Sequence, residues 1–307
     1  MDRKELLLQA FDRSAVLQLD TQFYRNFLED FLALMLRSDL GSEGDLTSRT
    51  LIHGNPDGTA TIVAKEAGVL AGIQEVLFLY QRNGLKANAL LQDGAKVKTG
   101  QRVLEVSGSQ KAILMLERTA VNIIQHMSGI ATLTATLAKH SQLPIAATRK
   151  TLWGLLDKRA VAVGGGLTHR LNAADAILIK SNHIDAQQSI PITMKTAWKK
   201  RNDSAFIEIE VRDLREAVDA ARACADLHLD DPNYPLLVMF DNFSPTAIRK
   251  TLAELKKQGL YQTALFEASG GITTENIEQF SACGVDVLSL GILTHSAPAL
   301  NFAQRLQ

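Results

Sequence analysis

The sequence predicts an α/β protein in which an N-terminal α+β domain precedes a (β/α) barrel of parallel strands. Three observations carry that prediction. Beyond residue 143 short apolar runs recur, most of them followed by an amphipathic helical stretch: "PIAATRK" (144–150), "DAILIKSN" (175–182), "AFIEIEV" (205–211), "PLLVMFDN" (235–242), "ALFEASGG" (264–271) and "VDVLSLG" (285–291). Strands alternating with helices imply parallel strands joined by crossovers. Runs that are apolar throughout imply strands covered on both faces. Several runs stop at a polar or charged group: Arg149-Lys150, Lys180, Asp241-Asn242 and Ser269-Gly270. A barrel collects its functional groups at the C-terminal ends of its strands, whereas a doubly wound open sheet gathers them at a switch point between fewer strands. The number of charged strand ends favours the barrel.

The elements follow in order. The first 45 residues read as helices, and "DTQFYRNFLEDFLALMLRSDLG" has apolar residues at helical spacing and stops at Gly41. "GTATIVAKEAGVLAG" (58–72) alternates like a strand, and "GIQEVLFLYQRNG" reads as a helix stopped by Asn83-Gly84. "ALLQDGAKVKTGQRVLEVSGS" places two glycine-centred turns between short strands, the mark of an antiparallel sheet. The stretch 110–140 is amphipathic and almost free of breakers, so one or two helices are expected to lead into the barrel. "DLREAVDAARACADL" and "SPTAIRKTLAELKKQG" are crossover helices, and "ITTENIEQF" is a helix whose start offers Thr273 or Thr274 as a cap.

A chain of 307 residues with 46% hydrophobic and 21% charged residues buries a sizeable core and is not extensively disordered. Its 33 basic residues balance its 33 acidic ones, so no global field recruits nucleic acid or an acidic membrane. The N-terminal stretch lacks a signal-peptide core, and no apolar run approaches the roughly 20 residues that span a bilayer. A soluble, cytoplasmic protein is expected. Cys224 and Cys283 have no CxxC or histidine-rich spacing and read as reduced thiols.

The chemistry is expected at the barrel mouth. Arg149, Lys150, His169, Arg170 and Lys180 are donors of positive charge, and four permanent cations at one mouth repel one another unless an anion compensates. Arginine's fork and lysine's point charge suit carboxylate and phosphate, so the ligand should be polyanionic. Glu210 and Asp241 either pair with those cations or hold Mg²⁺, which takes one or two carboxylates beside substrate phosphates. In "IEIEV" Glu208 and Glu210 share a face by the strand's period of two. Glu210 lies nearer the C-terminal end, which leaves Glu208 as a structural partner. "ASGG" (268–271) and Gly291 put glycines after the last two strands, where barrels bind phosphate. Gly164-Gly165-Gly166 either ends a helix or lets a loop approach the ligand. No Walker loop, GxGxxG or GxSxG occurs, so covalent catalysis is not expected. Transfer at a phosphorylated sugar with pyrophosphate leaving fits such a site.

These residues also carry a family resemblance. The chain resembles the quinolinate phosphoribosyltransferases from "GDLTS" (44–48) through "ERTAVNIIQHMSGIAT", "TRKT", "GGGLTHRL", "LIKSNHI", "IEIEV", "MFDNFSP" and "FEASGGIT" to "GVDVLSLGILTHS" (284–296). The resemblance implies an α+β sandwich domain and an incomplete (β/α) barrel, with boundaries at 1–140 plus 294–307 and at 141–293. It implies phosphoribosyl transfer from phosphoribosyl pyrophosphate to quinolinate with decarboxylation, in a homodimer whose sites are shared. Arg118 would enter the neighbouring subunit's site. Arg149, His169, Arg170 and Lys180 would grip the acceptor's carboxylates, with Lys150 and Lys180 between acceptor and donor. Glu210 and Asp241 would hold Mg²⁺, and Ser269, Gly270, Gly291 and His295 would surround the 5′-phosphate.

The chain departs from the family pattern at Ala147 (usually Asp), Trp153 (usually Pro), Asn172-Ala173 and Ser181, and 223–235 reads as an insertion. The alternatives are a paralogue acting on another heteroaromatic acid and a binding relative without turnover. The related ModD-type proteins tend to lose the strand-end lysine, and the retained Lys180 argues for the transferase.

Overall fold

The computed structural model describes residues 2–307. Among the described residues twelve strands form: β1 (Asp57–Ala64), β2 (Gly68–Val69), β3 (Lys86–Ala89), β4 (Lys96–Val97), β5 (Arg102–Ser109) and β6 (Ile145–Ala147). They continue with β7 (Ile177–Ile179), β8 (Ile207–Val211), β9 (Leu236–Asp241), β10 (Leu265–Ser269), β11 (Val287–Leu290) and β12 (Phe302–Leu306). The chain divides into two compact units, and both are discontinuous in sequence.

One unit comprises the N-terminal residues through Ser14, Thr136–Thr151 and Gly166–His295. Its sheet is parallel, in the order β6-β11-β10-β9-β8-β7. The first and last strands of that order, β6 and β7, are edges, so the barrel is incomplete. The strands are apolar because both faces are covered; Leu236 to Phe240, for example, are all buried. The helices Leu214–His228 and Pro245–Lys257 cross over between strands, capped by Asp213 and Ser244 side chains that accept from Glu216 N and Ala247 N.

The floor of this half-barrel is the helix Arg3–Phe11, started by a capping box in which Asp2 and Glu5 exchange hydrogen bonds. Its Leu7, Ala10 and Phe11 pack with Ala146, Ala176, Phe206, Leu237, Leu265 and Val287, which lie in or just before the six parallel strands and mostly at their N-terminal ends. The sequence-based boundary, with 1–140 in the N-terminal domain, therefore differs from the observed division. Residues up to Ser14 serve the barrel because its open floor needs an apolar plug, and 152–165 fall in the other unit.

That other unit comprises Ala15–Ala135, Leu152–Gly165 and Ser296–Gln307. Its antiparallel sheet has the order β12-β1-β5-β3, and β2 pairs with β4 separately. The strand expected over 58–72 is broken at 65–67. Buried Glu75 ties this unit together, accepting from Tyr24 Oη at 2.7 Å and pairing with Arg159 Nε at 2.6 Å. Trp153 stacks on His126 with ring centroids 4.1 Å apart, and Asp157 binds His126 Nε2 at 2.7 Å. The triple glycine ends the helix Leu155–Val163; a Cβ on Gly164 would lie 2.6 Å from the Ala131 carbonyl oxygen.

One continuous helix, Gln110–Lys139, occupies the stretch for which one or two were expected. Gly129 sits in its interior although glycine there is worth about 0.5–1 kcal/mol less than alanine. The reason is close packing: a Cβ would meet Pro298 O at 2.1 Å. Gly129→Ala should therefore destabilise by about 1–3 kcal/mol despite better helix propensity, as read by denaturant unfolding.

Candidate active site

A cavity of about 410 Å³ opens at the C-terminal ends of the parallel strands. Each strand delivers its side chains where its apolar run stops. Arg149 and Lys150 follow β6, Lys180 follows β7, Glu210 sits near the end of β8, Asp241 ends β9 and Ser269 ends β10. His169 and Arg170 enter from the loop between β6 and β7 and line the same cavity.

The electrostatics fit the expectation of crowded cations. Burial, and after it the proximity of Arg149, lowers the pKa of the Arg170 guanidinium. Lys180 Nζ donates to Glu210 Oε1 at 2.6 Å, so the strand-end lysine is neutralised by the carboxylate two strand residues above Glu208. Asp241 is exposed at the rim. Hard carboxylate oxygens on Glu210 and Asp241 in one cavity are the donor type that a Mg²⁺–phosphate complex takes, so these residues fit that ion.

The glycine loops are arranged differently from the expectation. "ASGG" does not run straight into a helix; the next one, Ile277–Ser281, begins six residues after Gly271. Gly270 and Gly271 take φ of 90° and 64°, and Asn276 closes the intervening loop by donating to Gly271 O and accepting from Thr273 N. Thr273 and Thr274 thus cap no helix. Gly270 is pressed against Asn242, whose Oδ1 would lie 2.3 Å from an added Cβ. Gly291 leads directly into Ile292–His295, and an added Cβ there would meet His295 Nε2 at 2.9 Å and Lys150 Cδ at 3.3 Å. Gly291 and His295 therefore stand beside Lys150, although they do not line the cavity itself.

Arg118 lies exposed on Gln110–Lys139 in the other unit and is not among the lining residues. Of the departures, Ala147 is buried at the end of β6 and Asn172 is exposed.

Asn242, Met239, Thr148 and Leu178 also line the cavity, and so does Glu267, which the sequence reading passed over. Its signal was a lone carboxylate inside an apolar strand. Glu267 and Glu208 are fully buried, at 0% exposure, below the mouth. His169 Nε2 lies 3.2 Å from Glu208 Oε2 and 3.4 Å from Glu267 Oε2. Burial, then the charge of Glu267, pushes the Glu208 carboxyl up from 4.5 to about 8. Burial opposes a proton on His169, whereas the charges of Glu267 and Glu208 favour one. The cluster thus holds an extra proton rather than two bare carboxylates. Arg170 N donates to His169 Nδ1 at 2.6 Å, which disfavours a proton on that nitrogen and places the extra one on a carboxyl.

A shallower concavity of about 330 Å³ lies over the antiparallel sheet, between Thr59, Thr61, Lys86, Glu105 and Ser107. Its lone lysine and glutamate do not converge on an anion.

Known proteins match the chain in sequence and in fold. The profile of the quinolinate phosphoribosyl transferase C-terminal domain matches residues 130–305, and that of the N-terminal domain matches 45–128. A probable nicotinate-nucleotide pyrophosphorylase (carboxylating) of Methanothermobacter thermautotrophicus is 37% identical, over 91% of this chain and 98% of its own length. The human nicotinate-nucleotide pyrophosphorylase (carboxylating) is 34% identical over 85% of this chain and 86% of its own. The crystal structure of NadC from Streptococcus pyogenes superposes with a TM-score of 0.79 at 32% identity, covering 91% of this chain and 97% of that one.

Glu208 binds its proton more tightly folded than unfolded, so its contribution is full below about pH 4.5 and lost as pH rises through about 8. The melting temperature should fall as pH rises through that window to about 8, and Glu208→Gln should flatten that fall in scanning calorimetry.

Matching profiles over both units, and relatives aligned across nearly the whole length, place this chain in the quinolinate phosphoribosyltransferase family.

Proposed function

We propose that the protein transfers the phosphoribosyl group of phosphoribosyl pyrophosphate to the ring nitrogen of quinolinate and decarboxylates the product. Nicotinate mononucleotide, pyrophosphate and CO₂ result, a step of NAD biosynthesis. The observation that carries this reading is the single cavity that joins Arg149, Lys150, Arg170 and Lys180 to Glu210 and Asp241. A dicarboxylate and a pyrophosphate ester together supply the negative charge those cations need.

Arg149 and Arg170 offer forked donors for the acceptor's two carboxylates. Lys180 turns from Glu210 to the acceptor, and Lys150 faces the departing pyrophosphate. Mg²⁺, held by Glu210 and Asp241 with the donor's oxygens, would supply charge neutralisation on the leaving group. The Ser269-Gly270 turn and the Gly291 loop, with His295 beside it, receive the 5′-phosphate through backbone N–H groups. As the C1–O bond breaks, its electron pair leaves with pyrophosphate and C1 becomes oxocarbenium-like. The pyridine nitrogen's lone pair then forms the N–C1 bond. The ring nitrogen is now cationic, so the C2–carboxylate bond breaks with its pair held at C2, which takes a proton from solvent. The protein's part is positioning and charge stabilisation.

We further infer a homodimer in which Arg118 completes the partner's site, and a cytoplasmic location, the latter supported by two free thiols at Cys224 and Cys283. No helix among the described residues is long and apolar enough to cross a membrane.

Purified protein with phosphoribosyl pyrophosphate, Mg²⁺ and quinolinate should release nicotinate mononucleotide and CO₂. Turnover with another heteroaromatic acid and none with quinolinate would overturn the substrate assignment. Lys150→Ala should lower kcat by at least about a hundredfold, the scale of losing one preorganised charge at a transition state. Arg118→Ala and Lys180→Ala proteins, each nearly inactive, should regain activity when mixed; no rescue would refute the shared site.

A further inference from the structure

His169 lines the cavity and is also gripped from within the protein. Its ring lies between Phe11, at a centroid distance of 4.2 Å, and the edge of Phe206 at 5.4 Å. Its backbone takes φ 53°, left-handed for a residue with a Cβ. Phe11 O accepts the N–H groups of both Thr168 and His169 at 3.0 Å. Arg170 N donates to Nδ1, and Nε2 points at Glu208 and Glu267. Both ring nitrogens are therefore engaged inside the protein. All four carboxylate oxygens of the two glutamates are buried and make no hydrogen bond beyond this ion-pair contact.

One imidazole and two carboxylates within 4.8 Å are also the donor types of a divalent-cation site. The Arg170 N–H decides against an ion. It occupies Nδ1, so the ring proton sits on Nε2, where a metal would have to bind.

We propose that Glu208 and Glu267 are positioning residues for the acceptor subsite. They clamp the Nε2–H of His169, and through the strained His169–Arg170 turn they aim the Arg170 guanidinium at an acceptor carboxylate. Arg170 leans on the same turn from its other end, Nη1 donating to Ala176 O at 3.3 Å. The inference rests on the dicarboxylate reading of the acceptor.

The test separates aim from charge. Glu267→Gln removes a negative group that lines the cavity, so simple repulsion predicts tighter binding of quinolinate. The clamp predicts the reverse: losing the charge-assisted contact weakens quinolinate about tenfold in Glu267→Gln and in Glu208→Gln. Binding of phosphoribosyl pyrophosphate, measured by calorimetry in the same proteins, stays within about twofold, the precision of such a comparison. Quinolinate binding that is unchanged or tighter, or equal loss for both ligands, overturns the proposal. If the glutamine variants are insoluble, Glu267→Asp keeps the charge, withdraws the oxygen, and is read the same way.

Nitrogen-15 spectra of histidine-labelled protein, with His169→Asn to assign the signal, supply an independent readout. Protonated Nε2 and bare Nδ1 are expected, and a protonated Nδ1 overturns the clamp. Wild-type protein that binds no quinolinate would refute the substrate reading, while the spectra still decide the clamp.

Discussion

A parallel sheet that stops at six strands cannot fill its own floor, and the mouth depends on how that floor is sealed. The helix Arg3–Phe11 does so with Leu7, Ala10 and Phe11. Its last residue also reaches the chemistry: the Phe11 carbonyl takes the N–H groups of Thr168 and His169, and its ring packs on the imidazole. Arg13 continues the link, donating from its backbone to Thr168 Oγ1 and pairing with Asp175 at 3.0 Å. The loop that carries Arg170 is thus set from beneath before any ligand arrives.

Above this floor the protein arranges charge in two layers. The upper layer holds the exposed cations Arg149, Lys150 and Lys180, and there Glu210 already neutralises one of them. The lower layer holds His169, Glu208 and Glu267 out of water, where unpaired charge is costly and a shared proton offsets it. A residue spacing of two on β8 places one carboxylate in each layer, because alternate side chains of a strand share a face and differ only in depth.

Much of this was legible in the sequence. The barrel, its six strands and the cationic mouth followed from apolar runs that end in charge, because a covered strand must turn polar where it leaves the core. The triple glycine left two readings open, and the helix-ending one holds. The role of the first helix was not legible: its apolar residues mark an amphipathic helix without saying which sheet needs a plug. Glu267 was invisible because one acidic residue inside "ALFEAS" looks like an exception until Glu208 and His169 are seen beside it. The late start of Ile277–Ser281 was missed because a threonine pair looks like a cap, whereas two left-handed glycines and Asn276 built a loop first. Arg118 carries no local signal, since an exposed arginine on a long helix is the commonest kind.

The edge strand of the antiparallel sheet sets a condition on how the chain is made. β12 pairs with β1, and Gln307 donates to Thr61 across 246 residues of sequence. During synthesis the β1 edge therefore emerges early and waits, unpaired, until Phe302–Leu306 has been made. Contacts of such sequence separation form slowly, and an open strand edge invites pairing with other nascent chains. Residues Ser296–Gln307 thus act as a late clasp, and a chain released before they are made would have a sheet that lacks its β12 border.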